Sequence, residues 1–181
     1  KGIDKFPISE YNARVSDFGN RLRGNFMEET LQKQLQTLSR LYKESDHLYS
    51  DFAARLGMTG AAFWILYALS HAEQPLTQND LCNMFFFPVQ TINSSIGALQ
   101  KKGLLKLQGI PGTKNRKEIL FTDAGREFSA RTIRKVDEIE ENAFLLFTAE
   151  EREIYLSLFK RHIENLKQEE QRVLNTLTEE I

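Results

Sequence analysis

Residues 76–122 read LTQNDLCNMFFFPVQTINSSIGALQKKGLLKLQGIPGTKNRKEILFT, and the punctuation of this stretch decides the fold. Thr77 followed three residues later by Asp80 resembles a capping box, with Asp in place of the usual Glu or Gln. It opens a short helix whose inward positions are Leu81, Met84 and Phe85. Pro88 fits the first turn of a second helix and Gly103 its end. Beyond Gly103, Leu105 and Leu107 alternate with Lys106, and Ile119 and Phe121 with Leu120, so two short strands flank a polar loop, 109–117, holding Pro111 and Gly112. Helix, turn, helix and a hairpin with a basic tip together make a head that offers its second helix to a DNA groove.

At about 100° per residue from Val89, the second helix places Val89, Ile92, Ile96 and Leu99 on one side, which is predicted buried. The opposite side holds Gln90, Ser94 and Lys101, flanked by Thr91 and Ala98 on one edge and by Asn93 and Gly97 on the other. Gln pairs bidentately with adenine, Ser and Thr bond either kind of base edge, and a Thr methyl or Ala suits the thymine methyl. Gln90, Thr91, Asn93 and Ser94 are therefore the candidate base readers, and Lys101 and Lys102, at the far end, the candidate phosphate contacts. Every amphipathic helix has a polar face and most only meet water, so this helix alone is evenly balanced between the two readings. The hairpin tips it toward DNA. Phe86 occupies a turn position where a small residue would be easier, and Phe87 brings no side-chain oxygen to cap the helix that follows, leaving backbone N–H groups for a phosphate.

Outside the head the periodicity is helical. Positions 31, 35, 38, 42, 45, 49, 52 and 56 alternate steps of four and three and are apolar or aromatic except Ser45, which predicts a long helix over 28–56 needing a partner helix along its length. Gly57 caps its end, and a largely buried helix over 60–72 follows, with Phe63, Ile65, Leu66, Ala68 and Leu69 inside and Trp64 and Tyr67 on its flank. Thr122 caps a helix to about residue 147 with Phe128, Ile133, Val136 and Ile139 as its apolar face. Thr148 and Glu151 form a capping box for a last helix striped by Tyr155, Leu158, Phe159, Ile163, Leu166, Val173 and Leu177. These long helices carry more apolar face than one small head can cover, and a dimer interface is the natural sink. Residues 1–26 form an N-terminal extension in which Tyr11, Val15, Phe18 and Leu22 predict a short amphipathic helix, docking on its own protein in preference to a membrane surface or DNA; Met27 stands as an alternative start.

Composition narrows the function classes. The 181 residues are 41% hydrophobic with net charge -1, enough for one substantial core. The charge is unevenly placed: 76–131 holds eight basic residues against four acidic, an excess of +4, whereas seven against twelve leave 132–181 at -5. The single Cys82 excludes an intramolecular disulfide framework and, without a basic neighbour in sequence, reads as a small hydrophobe before a redox sensor. His47, His71 and His162 are widely separated and show no metal-ligand spacing. No nucleophile elbow, phosphate loop or paired-acid motif is present, so catalytic residues, metal and cofactor are all expected to be none. No apolar run approaches the roughly 18 residues of a membrane span, and a cytoplasmic protein with no membrane partner is the expectation.

With these elements placed, the chain resembles the MarR family of winged-helix transcriptional regulators over about 38–166. The resemblance rests on Gly57-Met58-Thr59, Phe63 with Leu66 and Leu69, Leu76-Thr77-Gln78 with Leu81, Thr91-Ile92, Leu99 with Lys101-Lys102-Gly103-Leu104, and Phe121-Thr122 with Gly125-Arg126. It implies a MarR-like domain over 27–181, mainly α with a small β-hairpin: a winged helix-turn-helix head, 57–122, and dimerisation helices, 28–56 and 123–181. It further implies a homodimer on a palindromic double-stranded operator, with 88–102 in the major groove and the hairpin wing near the minor groove. Regulation by a small aromatic or amphipathic effector is also implied. Ser94 stands where the family often has Arg, and Gly97 and Ala98 where it has charges, which points to a different target sequence. The wing's usual Asp-x-Arg falls on Thr113, Lys114 and Asn115, so Arg116 is the candidate wing arginine with Lys114 as alternate.

For the effector, Tyr42, Asp46, His47, Tyr49, Trp64 and Tyr67 offer aromatic walls and polar handles, set against ordinary packing with polar tips in water. The function expected is that of a sequence-specific DNA-binding regulator, a ligand-responsive repressor acting as a homodimer. The alternative is a winged-helix protein-interaction module without DNA binding.

Overall fold

The computed structural model describes residues 25–113 and 115–179. The expected short helix in the N-terminal extension and Lys114 lie outside the described residues. Two compact units meet the eye, one ending at Gly60 and one beginning at Ala61.

The described part of the first unit is one helix, α1 (Asn25–Arg55), 31 residues long. It starts three residues before the expected boundary. Its end is built at Gly57, where the Gly57 N–H donates to the Ala54 carbonyl at 2.9 Å and the Met58 N–H to the Ala53 carbonyl at 3.1 Å. The expected apolar stripe is present and largely open on the single chain: Leu31 is 54% exposed and Leu35 50%.

The second unit opens with α2 (Gly60–His71), buried through Phe63, Ile65, Leu66 and Ala68 as the sequence predicts. Next come β1 (Leu76–Thr77), α3 (Gln78–Phe85) and α4 (Val89–Lys101). The hairpin strands follow as β2 (Leu105–Gly109) and β3 (Lys117–Phe121). The hairpin pairs Leu105 with Phe121 and Leu107 with Ile119. A third strand joins it that the sequence did not reveal: Leu76 and Thr77 pair antiparallel with Ile119 and Glu118, so the sheet runs β1-β3-β2. Two residues carry no period-2 pattern, which is why β1 has no signature of its own.

The core gathers side chains from several elements of the second unit. Phe63, Ile65 and Leu66 of α2, Leu81 of α3, Ile92 and Leu99 of α4, Ile119 of β3 and Ile133 of the next helix are all fully buried. Two expected core residues of the head are not. Met84 is 51% exposed because the eight-residue α3 reaches the core only through Leu81 and Phe85. Val89 is 56% exposed because it lines an open cleft with residues of α3 and the hairpin. Ser95, which no apolar count would select, is buried on α4 in its place.

Thr122 caps α5 (Asp123–Leu145) by accepting the Gly125 N–H at 3.0 Å. This helix is buried through Ile133 and Val136, but Ile139, expected to continue the face, is 58% exposed, and at this level it is Asp137 and Glu140 that meet α2. The second capping box forms as read: the Thr148 N–H donates to Glu151 Oε2 at 2.8 Å and the Glu151 N–H to Thr148 Oγ1 at 3.2 Å. It opens α6 (Ala149–Glu179), whose stripe is open too, with Tyr155 50%, Leu166 51% and Leu177 49% exposed.

Candidate nucleic-acid interface

The reading helix is anchored at both ends. At its start Pro88 is the N-cap, one residue ahead of the position expected for it, and no side chain caps the helix. The Thr91 and Ile92 N–H groups both donate to the Pro88 carbonyl, at 2.9 and 3.2 Å. The N–H groups of Val89 and Gln90 are thus left for an acceptor outside the helix. At its end the Gly103 N–H donates to the Gln100 carbonyl at 2.8 Å and the Leu104 N–H to the Leu99 carbonyl at 3.0 Å. Gly103 sits at φ +69, a left-handed conformation that favours a residue without Cβ.

Between these anchors Ile92, Ser95, Ile96 and Leu99 are buried, and Gln90, Asn93, Ser94 and Ala98 are exposed, with Thr91 half-buried. The Ser94 hydroxyl donates to the Thr91 carbonyl at 3.0 Å, which leaves its lone pairs outward. Lys101 and Lys102 are exposed at the C-terminal end of α4.

The hairpin loop turns tightly through Pro111 and Gly112, the latter at φ +77, and the Thr113 N–H donates to the Ile110 carbonyl at 3.2 Å. The Ile110 N–H donates to the Arg116 carbonyl at 3.0 Å, so the backbone at Arg116 is held at the root of the loop rather than at its tip. Between α3, α4 and the hairpin opens a cleft of about 490 Å³ lined by Cys82, Asn93, Gly97, Gln100, Arg116 and Lys117, among others. Asn93 and Arg116, expected separately from the sequence, therefore share one concavity. Gln90, Ser94 and Lys101 are not among its lining residues. Gln100, Asn115 and Lys117 join the cleft although the sequence reading passed over them; the basic loop composition was the available signal for Lys117.

Asp80 ties the capping box to the wing. Its carboxylate accepts from the Thr77 hydroxyl at 2.7 Å and from the Thr77 N–H at 2.8 Å. These bonds, joined by the charge of Arg116, hold its carboxyl below the usual Asp range.

The candidate effector residues fall on two helices. Tyr42, Asp46 and His47 are exposed and Tyr49 half-buried on α1. Trp64 and Tyr67 are half-buried on α2, within an aromatic run: Trp64 lies 5.4 Å from Tyr67 and 5.8 Å from Phe85, and Tyr67 lies 4.3 Å from the His71 ring. The Tyr67 hydroxyl donates to Glu140 Oε2 of α5 at 2.9 Å, and His71 Nε2 lies 3.1 Å from Asp137 Oδ1. Those two α2 side chains are thereby integrated in the packing of the second unit. Among the described residues no group of three or more His, Cys, Asp or Glu side chains is placed to hold a metal. No single described helix is long and apolar enough to cross a membrane.

A short helix, a turn, a second helix with a polar outer face and a three-stranded antiparallel wing define a winged helix-turn-helix protein. Residues 56–114 match the model of the MarR family. That match lies on the winged head and takes in 59 of the 181 residues. No curated protein sequence matches the chain. Among solved structures, the S. aureus MepR–DNA complex is 20% identical, with TM-score 0.60, 72% of this chain and 96% of that one covered. A putative MarR family regulator from Listeria monocytogenes, complexed with a 26mer DNA, is 20% identical with TM-score 0.61 over 75% and 89% of the two chains. A MarR protein from Peptoclostridium difficile is 20% identical with TM-score 0.58 over 93% and 97%. At these identities the likeness is one of fold.

Proposed function

We propose that this chain is a sequence-specific, double-stranded DNA-binding repressor acting in the cytoplasm as a homodimer and responsive to a small aromatic or amphipathic effector. The observation that carries the reading is the outer face of α4, polar and exposed at Gln90, Asn93 and Ser94, set beside a wing whose Arg116 and Lys117 border the same cleft. Gln90, Thr91, Asn93 and Ser94 read base edges, Lys101 and Lys102 hold phosphates, and Arg116, with Lys114 as alternate, serves the wing. The solved MepR and Listeria monocytogenes structures of the same fold are DNA complexes, which supports the assignment. Open apolar stripes on α1 and on α6 support a second copy as partner, because that much exposed apolar surface on long helices is stabilised by packing against another helix. Tyr42, Asp46, His47 and Tyr49 of the first unit and, separately, Trp64 and Tyr67 of the second are the candidate effector contacts.

Selection from random duplexes at defined salt tests the reading. A palindrome with half-sites about one helical turn apart is expected. Lys101→Ala should weaken binding on all duplexes and lower the salt slope by about 1, whereas Gln90→Ala and Ser94→Ala should relax preference at individual bases. Affinity flat with salt would remove DNA binding in favour of a protein-docking module. Equal losses on selected and random duplexes for all three variants would remove the base-reading roles.

A further inference from the structure

The turn between α3 and α4 holds the one non-glycine residue with positive φ among the described residues: Phe86, at φ 54 and ψ 23. A side chain in this left-handed conformation costs roughly tenfold in the folding equilibrium. The ring gains nothing in return from its own chain, for it is 90% exposed. Its two neighbours behave differently: Phe85 packs 5.8 Å from Trp64 and 6.2 Å from Phe87, and both are half-buried. One phenylalanine of three is thus turned outward from a strained backbone. Val89, three residues on and the first residue of α4, is 56% exposed and lines the cleft together with the candidate base reader Asn93. The left-handed backbone ends α3, for Phe86 is its C-cap, but the ring, 90% exposed, is left open to a contact from outside the chain.

We propose that Phe86, with Val89, reads the 5-methyl groups of pyrimidines at the rim of the major groove. The inference rests on the DNA-binding reading of α4 and deepens it by naming a chemical group of the target. In helix-turn-helix docking the first helix crosses the backbone and the N-terminal residues of the second meet base edges, so the intervening turn lies at the rim of the groove. The thymine C5-methyl is the apolar feature that the major groove presents, and phenylalanine is among the side chains suited to it. On the helix face Gln90, Asn93 and Ser94 supply hydrogen bonds and Thr91 and Ala98 only small methyl groups, whereas Phe86 and Val89 bring larger apolar side chains at the turn and the first position of α4. The stripes assigned to a second copy lie on α1 and α6, not on this turn.

The test uses the full chain and a duplex chosen by random selection, prepared with thymine, with uracil throughout in its place, and with single thymine-to-uracil changes. Removing a contacted methyl should weaken the wild-type protein about fourfold for each methyl. Phe86→Asn, which tolerates the left-handed backbone, should bind thymine and uracil versions of the contacted positions equally while keeping its preference at the bases read by Gln90 and Ser94. Intact duplex binding with no uracil penalty would overturn this proposal alone, as would a Phe86→Asn protein that keeps the full penalty. A Phe86→Asn protein that loses self-association with its thymine preference unchanged would assign the ring to a copy-copy contact and overturn it as well. Binding to no duplex would overturn the DNA-binding reading and this inference together.

Discussion

Gly125→Ala separates two opposing physical effects with opposite signs. Gly125 lies in the first turn of α5, where helix propensity alone favours Ala by about 1 kcal/mol. A Cβ there, however, would stand 1.9 Å from the Leu104 carbonyl oxygen and 2.9 Å from its carbon, with Phe121 Cδ1 at 3.1 Å. Ordinary contact begins at 3.4 Å, so the backbone of Leu104 would have to retreat by about 1.5 Å, the difference between 3.4 and 1.9. That carbonyl accepts the Thr122 N–H at 3.0 Å, and the Thr122 hydroxyl also donates to Gly103 at 2.6 Å. Losing the two bonds costs about 1 kcal/mol each, and forcing backbone apart in a packed site adds about 1–3 kcal/mol. Offset by the propensity gain, the net loss is about 2–4 kcal/mol, or a fall in Tm of roughly 4–16 °C for a chain of this size. Urea and thermal unfolding followed by circular dichroism give the value. Because the joint fixes the end of α4, DNA affinity should fall with stability. A Gly125→Ala protein as stable as the wild type, or more so, would show that the close approach of α5 to Leu104 is wrong.

Two further outcomes follow from local geometry. Asp80 has a folded-state carboxyl pKa held down chiefly by the Thr77 hydroxyl and N–H, so its contribution is fully present above the unfolded value and is lost as the pH falls through the folded one. Acid unfolding of the wild type should steepen below about pH 4, and Asp80→Asn should flatten that limb in a pH series of urea midpoints. Phe86→Gly should raise stability by about 1 kcal/mol through relief of the left-handed strain, less any entropy cost of glycine, and a drop of that size in a urea titration would contradict the φ of 54.

Capping and periodicity made most of the head legible from residues alone. The Thr77–Asp80 and Thr148–Glu151 boxes, the Gly57 and Gly103 ends, and the Thr122 cap all depend on groups within a few residues, and each forms in the structure as read. The burial of Phe63, Ile92, Leu99 and Ile133 followed from spacing. Val89, Met84 and Ile139 defeated the same logic because spacing names a face, whereas exposure depends on which neighbouring element covers it. The wing residues were harder: the loop composition named a basic tip, but the placement of Arg116 at the loop root near Asp80 depends on strand register.

The sequence by itself determined that this is a winged helix-turn-helix chain with long amphipathic helices, because caps, turns and hydrophobic period are properties of short segments. Only the tertiary structure decided that Leu76 and Thr77 join the wing as a third strand, that Asn93 and Arg116 border one cleft, that Gly125 meets Leu104, and that Phe86 stands outward from a left-handed turn. Each of these depends on residues brought together from separate elements or on a backbone angle set by the packing on either side, and neither is encoded in the period of a single segment.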